Sequence, residues 1–247
     1  MDNSVVFAGL PRSGITLLAS MLNKDKNIYV TTSSPFVEIL WRNYSVWDEP
    51  SYQGDFDTTK LQQAKIPFLK GMTEAYYAQL TDKHNVIDKR RQWQRVNNIE
   101  MFRDIYGILP KIICPVRNVT EIITSYKVLY EANNQPWDYE DLRSNAFEAS
   151  YYDLVKGYDK YPECFLLVEY NDLVDKPDST LERVYEFIGV EMPEQDFSTV
   201  ESSESEGTYF LKGLHTLRNT LSKDTSDPQE VLTKEEFDKF SSWDFWR

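Results

Sequence analysis

A three-layer α/β fold around a mainly parallel central sheet is what this 247-residue sequence predicts, and three observations predict it. Short apolar runs alternate with helix-periodic segments along most of the chain. The first apolar run, Val5 to Ala8, leads directly into a turn bounded by Gly9 and Gly14 and then into a helical pattern. No repeat or long low-complexity linker interrupts the alternation, so one domain over residues 1–247 is expected, with the polar 198–230 region as a candidate lid.

In chain order, "SVVFAG" reads as a strand, and in "GITLLASMLN" Leu17, Leu18, Met21 and Leu22 share one helical face. "SPFVEILWRNY" turns helical after Pro35, and the stretch 58–83 is a long amphipathic helix or pair with Pro67 as a kink or start. "NVID" is a short buried strand, and "NNIEMFRDIYG" a helix ending near Gly107. "KIICPV" is a strand, followed by a helix with Asn118 as its N-cap. Residues 139–162 form a further long helix, "CFLLVEY" the next strand, and "STLERVYEFIG" a helix closing at Gly189. Thr233 to Glu236 has the form of a capping box for a last short helix.

Composition narrows the function. With 41% hydrophobic and 27% charged residues the chain has a globular balance, and its 16 Tyr and 6 Trp are enough to line clefts as well as fill a core. The formal net charge of −13 argues against general binding of nucleic acid or anionic membrane. An anion site must then be a local basic pocket. Cys114 and Cys164 both lie in strand-like apolar runs, so two buried thiols in a reducing compartment are expected, a disulfide being the alternative. No zinc-ligand spacing is present, and nowhere do 18 apolar residues run together. A first strand this close to Met1 leaves no room for a leader, and a cytoplasmic location is expected.

Three constellations carry the chemistry. "GLPRSGIT", Gly9 to Thr16, is nearly the nucleotide loop G-x-x-x-x-G-K-[ST], with Ile15 in the lysine's place. Its glycines let backbone N–H groups converge on an anion at a helix N-terminus, Ser13 and Thr16 add hydroxyl donors, and Arg12 supplies a positive charge. In "PVRNVTEIITSY", Arg117 follows a strand and Ser125 lies about two turns into the next helix, so both can grip one phosphate. In "VIDKRRQW", Lys89 immediately follows a short strand, at the edge where open α/β sheets bind ligands, and Arg90, Arg91 and Arg95 form the strongest basic cluster of the chain. Each has a plainer structural reading: a strand-to-helix turn, an arginine that pairs with a carboxylate, and a solvated patch paired with nearby acids.

Taken together, these residues resemble the sulfotransferases that use 3′-phosphoadenosine-5′-phosphosulfate (PAPS), in particular a bacterial branch. "LPRSGIT" is similar to the loop that holds the 5′-phosphosulfate, apart from Ile15, and "VRNVTEIITS" to the arginine–serine pair that holds the 3′-phosphate. The resemblance extends over about residues 4–220 and implies a P-loop nucleotide-kinase-like sulfotransferase fold. Residues Arg12, Ser13, Gly14, Ile15, Thr16, Leu17, Arg117, Ser125, Tyr170 and Lys212 would hold the donor. Tyr170 stands in "LLVEYNDLVDKP"; Lys212, His215 and Arg218 stand in "FLKGLHTLR", a segment similar to one that closes on the nucleotide. Lys89 and Arg12 would stabilise charge growing on the transferred and leaving groups, with PAP as product and no metal.

A proton acceptor is less clearly marked. His215 is the first candidate and Glu38 the second, while His84 reads as a surface histidine. Trp41, Tyr44, Trp47, Tyr52 and Trp93 are candidates for an aromatic pocket for a sugar or phenol, or core residues. A small molecule or carbohydrate is the expected acceptor, with a peptide left open. A P-loop kinase or nucleotide hydrolase is disfavoured by Ile15 and by the second anion pair; a non-catalytic PAP-binding protein on the same scaffold is the other alternative.

Overall fold

The computed structural model describes residues 4–49, 57–138, 147–194, 196, 221, 223 and 226–247. Among these, five strands form one sheet: β1 (Val5–Phe7), β2 (Ile28–Val30), β3 (Asn85–Lys89), β4 (Lys111–Val116) and β5 (Phe165–Glu169). The helices are α1 (Ile15–Asn23), α2 (Phe36–Val46), α3 (Thr58–Ala78), α4 (Val96–Tyr106), α5 (Val119–Ala132), α6 (Glu148–Lys160), α7 (Tyr170–Asp175), α8 (Pro177–Ile188), α9 (Pro228–Val231) and α10 (Lys234–Phe240). A 3₁₀ turn, Arg91–Gln94, joins β3 to α4.

The strand order is β2-β3-β1-β4-β5 and every pairing is parallel, as the alternation of runs predicts. The chain winds from β1 out to β2, returns through β3, and then crosses β1 to reach β4 and β5. The direction of winding reverses at β1, so the carboxyl ends of β3, β1 and β4 open the crevice in which such sheets bind ligands.

Side-chain alternation sorts the core into two layers. Val6, Val86, Ile112 and Cys114 face a large cluster built with α2 to α6, whereas Val5, Phe7, Ile87, Ile113 and Val168 face a smaller one built with α1, α7 and α8. The same alternation puts neighbouring polar residues on opposite faces. Asp88 points with Val86 into the larger layer, and Lys89, opposite Phe7 in the register, points toward α1.

Several local expectations meet their structure. Asn118 caps α5 by accepting from the Thr120 amide, Thr233 and Glu236 form the capping box of α10, and α4 and α8 close on left-handed Gly107 and Gly189. Cys114 and Cys164 are free, buried thiols. Three expectations differ. The run "IYV" is β2, too short to announce itself by periodicity; α3 is continuous through Pro67; and Tyr170 heads α7 after the last strand rather than ending it. The expected helix over 139–162 is seen as α6 from Glu148; residues 139–146 lie outside the described residues. No helix among the described residues is long and apolar enough to cross a membrane.

Candidate active site

The carboxyl edge of the sheet gathers residues that are far apart in sequence. β1 delivers the glycine-bounded loop, β3 ends on Lys89, β4 is followed by Arg117, and β5 by Tyr170. Each of these residues stands at or just beyond a strand end.

The loop from Gly9 to Gly14 turns the chain by positive φ at Gly9, Arg12 and Gly14, with values of 124°, 66° and 99°. Gly14 is required twice over. Its φ is left-handed, and a Cβ there would meet the Tyr170 ring at 2.8 Å. The first bond of the α1 ladder runs from the Leu18 amide to the Gly14 carbonyl at 3.0 Å. The amides of Ile15, Thr16 and Leu17 therefore precede the ladder at the positive end of the helix dipole. The first turn carries no acid and no side-chain cap. These donors fit an anion.

Ser13 is turned into the loop. Its hydroxyl donates to the Leu10 carbonyl at 2.7 Å, its amide points to the same carbonyl at 3.3 Å, and the residue is fully buried. In this conformation Ser13 shapes the turn and its hydroxyl proton is engaged by the Leu10 carbonyl. Ile15 is explained by packing. It lies against the smaller core cluster, and its Cδ1 would be 3.3 Å from a Cβ built on Gly9, so its side chain braces the loop from beneath while its amide keeps the helix-end position. Half-buried Leu17 packs against the same cluster, and Thr16 is half-buried beside it.

The second constellation meets the first directly. Arg12 Nε donates to Ser125 Oγ at 3.1 Å across 113 residues of chain. Arg117 Nη1 reaches the Arg12 carbonyl at 3.5 Å, its Nε donates to Glu121 Oε2 at 3.0 Å, and its Cζ lies 4.5 Å from the centre of the Tyr170 ring. Arg117 and Ser125 are buried, Arg12 and Tyr170 half-buried. The guanidinium is thus held over a ring by a cation–π contact and bonded at Nε by a carboxylate. Ser125 sits on the helix face that looks at the loop, two turns from Arg117, as the spacing predicts.

Lys89 is buried at the end of β3, and desolvation lowers its pKa to about 8. Its amide donates to Thr31 Oγ1 at 2.8 Å, and its carbonyl accepts from the Ser34 amide at 3.3 Å, tying the strand end to the entry of α2. The basic cluster beside it divides. Arg90 pairs with Glu38 at 2.9 Å and donates to Ser33 Oγ, and Arg95 pairs with Asp153 at 2.7 Å. Burial pushes the Tyr126 hydroxyl up to about 12, and the nearby charges of Arg91 and Arg12 act in the opposite sense. Glu38 has one oxygen on Arg90, while its Oε2 is buried with no hydrogen-bond partner.

Trp93 belongs to the core and not to an aromatic pocket. It is 2% exposed and donates through Nε1 to Asp88 Oδ1 at 2.7 Å, on the sheet face away from Lys89. Burial raises the Asp88 pKa. Tyr44 donates to Asp104 and lies under the Lys65 ammonium, and Trp47 packs on Phe68, all in the outer α2–α3 layer. His84 is exposed, as its position before a strand suggested. Lys212, His215, Arg218, Tyr52 and most of the candidate lid lie outside the described residues. One contributor went unread in the sequence. Gln94, fully buried, accepts from the Gly9 amide at 3.0 Å and donates to the Ser150 carbonyl at 2.6 Å, so it pins the start of the loop to α6. A single glutamine in a basic, aromatic stretch carries no signal of that role.

Known proteins share this fold. Among solved structures, a sulfotransferase domain from the curacin biosynthetic pathway superposes with a TM-score of 0.58 at 15% identity, covering 97% of this chain and 96% of that one. A mouse sulfotransferase complexed with PAP superposes with a TM-score of 0.56 at 14% identity, covering 98% and 83%. These likenesses establish the fold. No curated protein matches by sequence. The model of the sulfotransferase family matches residues 4–194, a span that holds β1 to β5 and the loop, Lys89, Arg117, Ser125 and Tyr170. On that match and this fold, the chain belongs to the sulfotransferase family.

Proposed function

We propose that this protein transfers a sulfuryl group from PAPS to a hydroxyl or amine of a small-molecule or carbohydrate acceptor. One observation carries the reading: the Arg12–Ser125 bond, with Arg117 stacked on Tyr170 and reaching the Arg12 carbonyl, joins two anion-binding motifs into one site. A donor with two separate anionic groups matches two such motifs, whereas a nucleoside triphosphate, whose phosphates are contiguous, does not. The PAP held by the mouse relative is consistent with this chemistry.

On this reading the α1 amides and Arg12 bind the 5′-phosphosulfate, and Arg117 and Ser125 the 3′-phosphate. Tyr170, whose ring lies 4.5 Å from the Arg117 guanidinium carbon, stands beside the nucleotide. In the transfer, an acceptor oxygen or nitrogen bonds to sulfur as the bond from sulfur to the phosphate oxygen breaks, and that electron pair leaves with the phosphate. Lys89 and Arg12 offset the charge that develops there, in a site partly withdrawn from water. The acceptor proton goes to a base. Glu38 is the candidate among the described residues, since Arg90 fixes one oxygen while Oε2 is without a hydrogen-bond partner. His215 is the other candidate.

The test is thermal stabilisation by PAP without magnesium. A rise in melting temperature at micromolar to millimolar PAP, abolished in Arg117→Ala, is the expected result. No shift at millimolar ligand, or a shift that requires magnesium and is equal with ATP, would refute the reading.

A further inference from the structure

The segment "WDFWR", Trp243 to Arg247, follows α10 and returns to the functional edge of the sheet. Its rings anchor it on α6. The Trp243 ring lies 4.5 Å from that of Tyr151, and Phe245 packs 5.6 Å from Tyr158 and 5.1 Å from Trp246. Two polar arms extend from this anchor. Asp244 Oδ1 accepts from the Val119 amide at 2.9 Å, and Trp246 Nε1 donates to Glu169 Oε1 at 2.9 Å. Arg247 links the arms, lying 3.5 Å from both Glu169 Oε2 and Asp244 Oδ2.

The residues these arms reach are not arbitrary. Val119 is two positions after Arg117, and Glu169 immediately precedes Tyr170. Val116 and Glu169 are the last partners in the β4–β5 register. Beyond them the two chains diverge, one into α5 and one into α7, and the sheet ladder no longer sets their separation. Yet the cation–π contact between Arg117 and Tyr170 depends on that separation. We propose that the segment Trp243–Arg247 is a strap that positions the Arg117–Tyr170 stack, with Asp244 and Trp246 as positioning residues for the 3′-phosphate side of the site. The second half of this statement rests on the donor reading above. The first half does not.

The experiment compares Trp246→Phe, Asp244→Ala and Asp244→Asn with the wild-type protein. Trp246→Phe keeps a ring on Phe245 and removes only the donor to Glu169. Asp244→Asn keeps an acceptor for the Val119 amide, and Asp244→Ala does not. PAP affinity is measured by calorimetry, and amide hydrogen exchange over 117–121 and 169–171 is measured without ligand. Trp246→Phe and Asp244→Ala are expected to weaken PAP binding about tenfold, the loss of one hydrogen bond's worth of positioning. They should also speed exchange in those two segments, with Asp244→Asn within about twofold of wild type. Unchanged exchange and affinity would overturn the proposal. So would faster exchange across the whole chain with a matching fall in melting temperature, or an Asn variant as impaired as the Ala one. If the wild-type protein binds no PAP, the donor reading fails, and the ligand-free exchange rates alone decide the strap.

Discussion

Two helix N-termini meet at this site, and they are built in opposite ways. α1 begins at Gly14 with no side-chain cap and no acid in its first turn. α5 begins at Asn118, whose side chain accepts from Thr120, while Asp244 accepts from Val119 and Glu121 adds a carboxylate in the first turn. Both helices have the same dipole and the same unbonded first amides. At α5 side chains of the protein accept from the Val119 and Thr120 amides, so on the proposed reading an anion there would be met by Arg117 and Ser125. At α1 backbone amides themselves face the crevice, together with Arg12. The difference teaches that a helix end is not by itself a binding site; its capping decides what is left for a ligand.

That contrast can be broken by supplying α1 with the acid it lacks. Thr16→Asp places a carboxylate in its first turn, which favours the helix by about 0.3–1 kcal/mol but repels a phosphosulfate. PAP affinity is expected to fall roughly a hundredfold, the scale of losing a charge-assisted bond and adding a like charge, with melting temperature unchanged or higher. Titration calorimetry with PAP reads this directly, and an affinity equal to wild type would show that α1 does not face the donor.

The charge that accompanies α1 can be tested by pH. Burial holds the Lys89 pKa near 8, below its ordinary 10.5, so between these values the unfolded chain binds more protons at this residue than the folded one. Without ligand, Lys89 therefore penalises the fold fully below pH 8, and the penalty is relieved as pH rises toward 10.5. A bound anion acts in the opposite sense, because it favours the charged ammonium. PAP affinity is expected to fall above pH 8, by up to about tenfold per pH unit while Lys89 is the only group titrating. Proton uptake at pH 8, measured as a dependence of binding enthalpy on the buffer, checks it. Lys89→Arg should remove the pH dependence.

The smallest effect is expected on the capped side. Asn118→Ala removes the bond to the Thr120 amide and should cost about 1 kcal/mol of stability in denaturant titration. PAP affinity should stay within about threefold, because on this reading that helix end is not the anion's ligand. A loss of affinity as large as in Thr16→Asp would erase the distinction between the two ends.

Much of the site was legible before the structure. The loop, the Arg117–Ser125 spacing, Lys89 at a strand end and the caps at Asn118, Gly107 and Gly189 are local properties, set by steric demands and hydrogen bonding within a few residues. The strand β2 was not legible, since three apolar residues carry no usable period. Nor were Gln94 and Asp244, whose partners lie 85 and 125 residues away.

By itself, then, the sequence determined the alternation of strands and helices, the presence of two candidate anion-binding motifs and their order along the chain. The tertiary structure decided what those motifs do to one another. Whether Ile15 points to a ligand or under the loop, whether Ser13 offers its proton outward, and which of Arg90, Arg91 and Arg95 is held by an acid depend on packing and on partners from distant elements. The winding of the sheet brings Arg12 against Ser125, and strand alternation sends Asp88 and Lys89 to opposite faces. Such relations arise only when the layers close, because side-chain direction and desolvation belong to the packed molecule and not to any window of its sequence.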